Sequence, residues 1–440
     1  MRLLGIFAAC AVLAGAASND TFLIRDADVY PVTSAPVKGV SVLVRDGKIA
    51  EIGPKLVAPK GIKVVEAKGL RVYPGMIDSA TQLGLSEVGA VRETVDTGEL
   101  GELMPQLRAL ASVNPDSELF GVARVNGITS AMTYPSAGRG GGRGAGGAQL
   151  ISGQAALIHT SGWTWEDMAV RPSAAVCVQF PNLGRGGRGS IPDDVLGMLG
   201  EAGPAGSYTQ TLRTYQQQIA KLSDFFEEAR RYQRVKAAHE PGFEPNLKYE
   251  AMLPVLERKT PLAVSVSSPK TIHDAIAFAE KQNVKIVILQ PRDLRSAAAE
   301  LKAKNVPVIL GKTLALPGNE DDPYDEAFTL PEEVHKAGIK FAFGTFDNEF
   351  VRNLPYQAAT AVAFGLPQEE ALKAITINPA EIWGVSDQVG SIEKGKTADL
   401  VVTNGDPLEI QTQIKYLFVA GKEVSLENKQ TRLYERYMKR

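Results

Sequence analysis

Histidine is the side chain best suited to bind a metal or move a proton near neutral pH. This chain of 440 residues has four: His159, His239, His273 and His335. No two lie within four residues of each other, so none forms a local ligand pair. His239, His273 and His335 fall in helix-like segments and read as surface or structural side chains. His159 ends a strand-like segment and has the same default, but it alone lies where it could face a functional opening. A serine nucleophile on a Gly-x-Ser-x-Gly elbow and a Cys-x-x-Cys pair are both absent. Arginines occur in two glycine-rich segments, Gly138–Gly147 and Gly184–Gly189. Arg139, Arg143, Arg185 and Arg188 allow two readings: plain surface loops, or a cluster that holds an anion. Trp163 and Trp165, followed by Glu166-Asp167, mark either a packed helix start or one wall of a pocket.

These groups need a scaffold, and the chain is long enough for a large domain plus a smaller one, with 44% hydrophobic residues. The formal net charge of −2 gives no overall field toward nucleic acid or an anionic membrane. Residues 1–17 read as a secretory signal: Arg2, an apolar run from Leu3 to Leu13, then small residues to Ala17. The mature chain is therefore expected to be exported, periplasmic or secreted. It would carry no transmembrane segment, a single thiol at Cys177 and no internal disulfide. Thr21–Ala27, Val40–Arg45 and Lys63–Ala67 are strand-like, with a hairpin signal at Arg45-Asp46-Gly47-Lys48. Ala398–Thr403 and Ile414–Val419 are the matching strands at the far end. Neither half buries a core alone, so the two are expected to meet in one composite β-sandwich.

Between them, strand-like and helix-like segments alternate. The strands are a start near residue 74, then Ile128–Tyr134, Ala155–His159, Ala174–Phe180, Pro261–Val266, Val284–Leu289, Val306–Leu310 and Ile339–Gly344. Thr209–Ala237, Lys270–Lys281, Asp293–Lys304 and Pro331–Ala337 are helical by composition. The pattern fits a parallel α/β fold, either a closed (β/α)₈ barrel or an open doubly wound sheet.

Two segments resemble a known family. Tyr73-Pro-Gly-Met-Ile-Asp78 resembles the first barrel strand of the amidohydrolase superfamily. Asn378-Pro379-Ala380, followed by Gly390-Ser-Ile-Glu-Lys-Gly-Lys-Thr-Ala-Asp-Leu-Val401, resembles its C-terminal signature, closest to the imidazolonepropionase-like subgroup. The resemblance implies a (β/α)₈ TIM-type barrel over 70–385, with 18–69 and 386–440 forming the β-sandwich. It implies a metal ion, commonly zinc, that activates water to hydrolyse a non-peptide C–N bond. Its ligands would be two histidines on strand 1, a bridging residue on strand 4, histidines on strands 5 and 6, and an aspartate on strand 8.

In this chain those positions hold Ala80 and Gln82, then Ser265, Gln290 and Phe346. Gln179 is near the strand 4 position, and Asp347 follows the aspartate slot by one residue. The expectation is a member that has lost its metal site, so that no cofactor is retained and a small molecule binds in the old pocket. The other readings are a hydrolase with an atypical site around Asp347, and a non-catalytic subunit. The protein would then stand as a homo-oligomer or as a heteromer with an active relative. Nucleic acid is not an expected partner.

Overall fold

The computed structural model describes residues 20–136, 149–183, 208–239, 242–266, 268–291, 293–317 and 322–440. Residues 1–17 and the arginines Arg139, Arg143, Arg185 and Arg188 lie outside the described residues.

The first strands are β1 (Phe22–Val29), β2 (Val37–Arg45), β3 (Lys48–Gly53), β4 (Lys63–Glu66) and β5 (Arg71–Pro74). Asp46 and Gly47 form the two-residue hairpin between β2 and β3, both at positive φ, as a type I′ turn requires. The barrel strands follow: β6 (Met76–Thr81), β7 (Ile128–Thr133), β8 (Ile151–His159), β9 (Ala169–Gln179), β10 (Leu262–Ser265), β11 (Ile286–Leu289), β12 (Val308–Leu310) and β13 (Phe341–Phe343). They neighbour one another in sequence order from β6 to β13. The ring is closed beyond the end of β13, where Phe346 N–H donates to Ala80 O at 2.8 Å and Gln82 N–H to Asp347 O at 3.2 Å. The fold is thus a closed barrel and not an open doubly wound sheet.

One strand departs from the parallel pattern. β8 pairs antiparallel with both β7 and β9. The link from β8 to β9 is residues 160–168, with a single helical turn at Trp165–Met168. A parallel crossover needs a dozen or more residues, so this link can only reverse the chain.

The main helices are α1 (Glu118–Arg124), α2 (Tyr208–Ala237), α3 (Leu247–Leu256), α4 (Pro269–Lys281), α5 (Ala298–Ala303), α6 (Glu326–Lys336), α7 (Leu354–Ala363), α8 (Gln368–Ala374), α9 (Ile377–Ile382) and α10 (Lys429–Met438). Alternation along the barrel strands sorts their side chains into two layers. Leu262, Val264, Ile286, Ile288, Val308 and Leu310 pack outward against the helices. Ala263, Val287, Leu289, Ile309 and Ala342 fill the lumen with Ala80 and Cys177, and Trp383 packs against the same cluster.

The remaining strands are β14 (Leu400–Thr403), β15 (Ile414–Val419) and β16 (Lys422–Glu423). They join the first group in one sheet ordered β16-β15-β14-β5-β1-β2-β3, with β4 also on β1. β14 lies directly on β5, and Phe418 stacks on Phe22 with centroids 4.2 Å apart. Between β5 and β6, Gly75 leads from this sheet into the barrel. A Cβ there would fall 2.0 Å from Thr129 Oγ1, so only glycine leaves room for the Thr129 side chain. Deleting residues 398–440 should therefore strip β5 of β14 and uncover Phe22, Ile24 and Val72, giving insoluble protein. A soluble truncation with a cooperative melt would show that the N-terminal strands stand without their C-terminal partners. Among the described residues no helix is long and apolar enough to cross a membrane.

Candidate functional site

In a barrel of this kind the chemistry sits at the C-terminal ends of the parallel strands. Strand 1 reaches that end through Asp78, which is fully buried. Its Oδ1 accepts N–H bonds from Ala80 at 3.1 Å and Thr345 at 3.0 Å, and its Oδ2 accepts the Thr345 hydroxyl at 2.5 Å. Asp78 thus fastens the first strand to the segment after the last. Burial pushes its carboxyl up to about 7, even against these donors, and the nearby Asp347 charge acts in the same direction.

Phe346 lies just past the end of β13 and is partly buried. Its ring packs on the lumen cluster and meets Tyr134 edge-on, with centroids 6.0 Å apart. Gly344 lies beneath it, where a Cβ would come within 3.0 Å of Ala80 Cβ, Ile309 Cγ2 and Phe346 Cε2 alike. Ala80 and Phe346 are also joined directly by the Phe346 N–H bond to Ala80 O. Gln82 is half-buried beside them, and its amide donates to Ser136 Oγ at 2.6 Å. Ser265 is half-buried at the end of β10, paired across the sheet with the exposed Gln179. Gln290 is exposed and packs over Gly311, where a Cβ would sit 3.0 Å from Gln290 Cγ. Gln290 and Phe346 both hold positive φ, +47° and +50°, a strained conformation for side chains of their kind.

Both carboxylate oxygens of Asp347 are engaged. Its Oδ2 pairs with Lys312 Nζ at 2.5 Å, while Oδ1 accepts N–H bonds from Glu349 at 2.9 Å and Phe350 at 3.1 Å. Burial alone would raise its carboxyl, but Lys312 and the two N–H groups outweigh it and hold the carboxylate below the usual range. Lys312 is the second residue after β12 and has no counterpart in the motif comparison. Its signal was only a charged residue two positions past an apolar strand.

His159 is not at the mouth. Because β8 runs antiparallel, its last residue lies opposite Ser130, near the start of β7, at the other end of the barrel. There its Nδ1 is 3.3 Å from Ser130 Oγ and 3.6 Å from Asp399 Oδ2. Burial raises the Asp399 carboxyl, against the pull of His159 and the Ala420 N–H. The same reversal carries Trp163 and Trp165 away from the mouth, so neither walls a pocket there. Trp165 packs on the core and Trp163 is 91% exposed. His273 and His335 pair with Glu300 and Glu370 on the helical surface.

Residues 390–397 spell Gly-x-x-x-x-Gly-Lys-Thr, the pattern of a phosphate-cradling loop. Here the segment precedes a strand instead of opening a helix. Lys396 is nearly buried, with its ammonium on Ser391 Oγ at 2.5 Å and Glu393 at 3.3 Å, so it is a structural lysine.

A family model described as the amidohydrolase family matches residues 197–425, more than half of the chain. The chain belongs to the amidohydrolase family. Amidohydrolase tasK of Hapsidospora irregularis is 23% identical across 92% of this chain and 44% of that protein. The imidazolonepropionase of Flavobacterium johnsoniae is 38% identical over 95 residues, covering 21% of this chain and 23% of the enzyme. The chain thus spans less than half the length of either curated relative. A crystal structure of an amidohydrolase from Thermotoga maritima MSB8 superposes with a TM-score of 0.75 at 27% identity, covering 92% of this chain and 99% of that one.

The zinc that the resemblance implies would ask for imidazole and carboxylate donors. The five positions offer a methyl group, two amides, a hydroxyl and a phenyl ring. Among the described residues no group of three or more His, Cys, Asp or Glu side chains is placed to hold a metal ion. These residues do not fit a zinc centre of the family type.

Proposed function

We propose that this chain is an exported, catalytically degenerate amidohydrolase that binds a small ligand at the barrel mouth without a metal. The observation that carries this reading is Phe346, whose ring packs into the lumen cluster beside Ala80. A hydrocarbon ring fills a place where the family needs a charged oxygen. Around it, Gln82, Ser265 and Gln290 supply neutral hydrogen-bonding groups, which suit a polar ligand held by orientation more than by charge. Without a metal and with no histidine at the mouth among the described residues, bound water has no evident activator.

The test is metal content. After dialysis, the purified protein is expected to hold far less than one zinc per chain by elemental analysis. A tightly held stoichiometric zinc would overturn the proposal. The glycine-rich segments extend the same reading. Changing Arg139, Arg143, Arg185 and Arg188 together to alanine is expected to weaken binding of an anionic ligand, each lost charged hydrogen bond costing roughly 1.5–3 kcal/mol. Unchanged affinity would leave these segments as plain surface loops.

A further inference from the structure

Helix α10 presents an apolar stripe to solvent. Asn428 and Thr431 form a reciprocal capping box at its start. At about 100° per residue, the side turned to the body carries Asn428, Thr431 and Arg432. Asn428 is buried, and Arg432 reaches Glu118 of α1 at 3.4 Å. The opposite side carries Leu433, Tyr434 and Tyr437 around Gln430, and Met438 lies on its flank next to Thr431; the four apolar side chains are exposed at 36%, 52%, 67% and 68% for Leu433, Tyr437, Tyr434 and Met438. No residue of this helix is buried. An amphipathic helix normally turns its apolar stripe toward the core. This one is mounted the other way round. Lys429, Arg436 and Arg440 line one flank of the stripe. Residues 429–440 hold five basic side chains, those three with Arg432 and Lys439, against the single acid Glu435. At the other end of α1, Arg124 donates to Thr160 O at 2.5 Å, and the exposed Trp163 follows in the same loop.

We propose that this face docks on an anionic lipid surface. Tyrosine and tryptophan prefer the boundary between water and hydrocarbon, and a cationic flank is drawn to anionic headgroups. A second copy of the chain is a poorer occupant. A helix of this length extends about 15 Å, too short to reach the roughly 1,000 Å² a stable protein interface needs. A two-fold contact would also set the same cations against each other. The net charge of −2 does not oppose docking, because attraction acts within a Debye length of the helix itself.

The test is sedimentation of the full chain with vesicles of phosphatidylcholine, alone or mixed with phosphatidylglycerol. Binding is expected to be about tenfold or more tighter to the mixed vesicles and to weaken as salt rises. Two variants separate the contributions: Leu433→Ser, Tyr434→Ser, Tyr437→Ser and Met438→Ser together, and Arg436→Glu with Arg440→Glu. Each should lose about tenfold in vesicle affinity with an unchanged melting temperature, because no altered side chain is buried. Wild type and variants share residues 1–19, so any vesicle binding by that segment cancels in the comparison. Equal binding by the variants, or no binding of wild type to the mixed vesicles at low salt, overturns the proposal. A concentration-dependent dimer that the serine variant dissolves would also overturn it and assign the face to a second copy.

Discussion

Asp78→Asn should lessen the fall in stability that the wild-type protein shows between pH 4 and pH 8. The folded carboxyl sits at about 7, against 3.8 for the free side chain. Below 3.8 both states hold the proton and pH has no effect through this group. Between the two values the unfolded chain gives up its proton and the folded chain keeps it. Folded protein then binds more protons than unfolded, so stability falls as pH rises, by about 1.4 kcal/mol per unit, and levels off above 7. The whole loss is on the order of 4 kcal/mol. Asparagine reproduces the protonated form. Its oxygen can accept the Ala80 and Thr345 N–H bonds, and its amide can donate to the Thr345 hydroxyl.

Urea unfolding of the two proteins should therefore agree at pH 4 and diverge toward pH 8, with the asparagine variant the more stable. The difference isolates Asp78, because Asp399 is present in both chains and the Asp347 carboxylate, held below its usual range, is ionised across this window. Asp78→Ala behaves differently. It leaves two buried N–H groups without an acceptor, at about 1–3 kcal/mol each, and is destabilised at every pH. Parallel wild-type and asparagine profiles from pH 4 to 8 would mean that Asp78 stays ionised in the fold and that the barrel is closed by a charge.

The frame of the fold was legible because its signals are local. Asp46-Gly47 specifies one turn type, and apolar runs of four to eight residues mark the strands. The direction of β8 was not, since alternation reads the same both ways along a strand. The decisive feature was the short link at residues 160–168, which carries His159 and both tryptophans away from the mouth and leaves the helix-start reading of Trp165. At the site, Phe346 could be placed from its slot in the Gly-Thr-x pattern. The roles of Asp78 and Asp347 could not, because their partners Thr345 and Lys312 are far off in sequence and meet them only when the barrel closes. Helix α10 was missed although Asn428, Thr431 and the Leu433–Met438 stripe form a readable cap and face. With no core on its apolar side, it did not look like part of a fold.

The largest zinc effect is expected in a fivefold variant, Ala80→His, Gln82→His, Ser265→His, Gln290→His and Phe346→Asp. Ala80→His and Gln82→His alone rebuild only the strand 1 pair, and a tetrahedral site wants three protein ligands plus water. That double variant should bind zinc weakly and hydrolyse nothing. Phe346→Asp is the costly step. It removes a ring from the lumen cluster, roughly 3–5 kcal/mol for a truncation of that size, and leaves a carboxylate among apolar groups. One local term favours it, since aspartate tolerates the φ of +50° better than phenylalanine does. Zinc would pair that carboxylate and gather the imidazoles, and at a thousand times its dissociation constant would return about 4 kcal/mol. The fivefold variant should therefore melt well below wild type without zinc and recover much of the difference with it. A fourfold variant that keeps Phe346 should show a far smaller zinc effect, because the ring still holds the metal's place. Equal melting temperatures with and without zinc in the fivefold variant would mean that these five positions do not converge on one point. The apolar plug at the mouth would then not mark a former metal site.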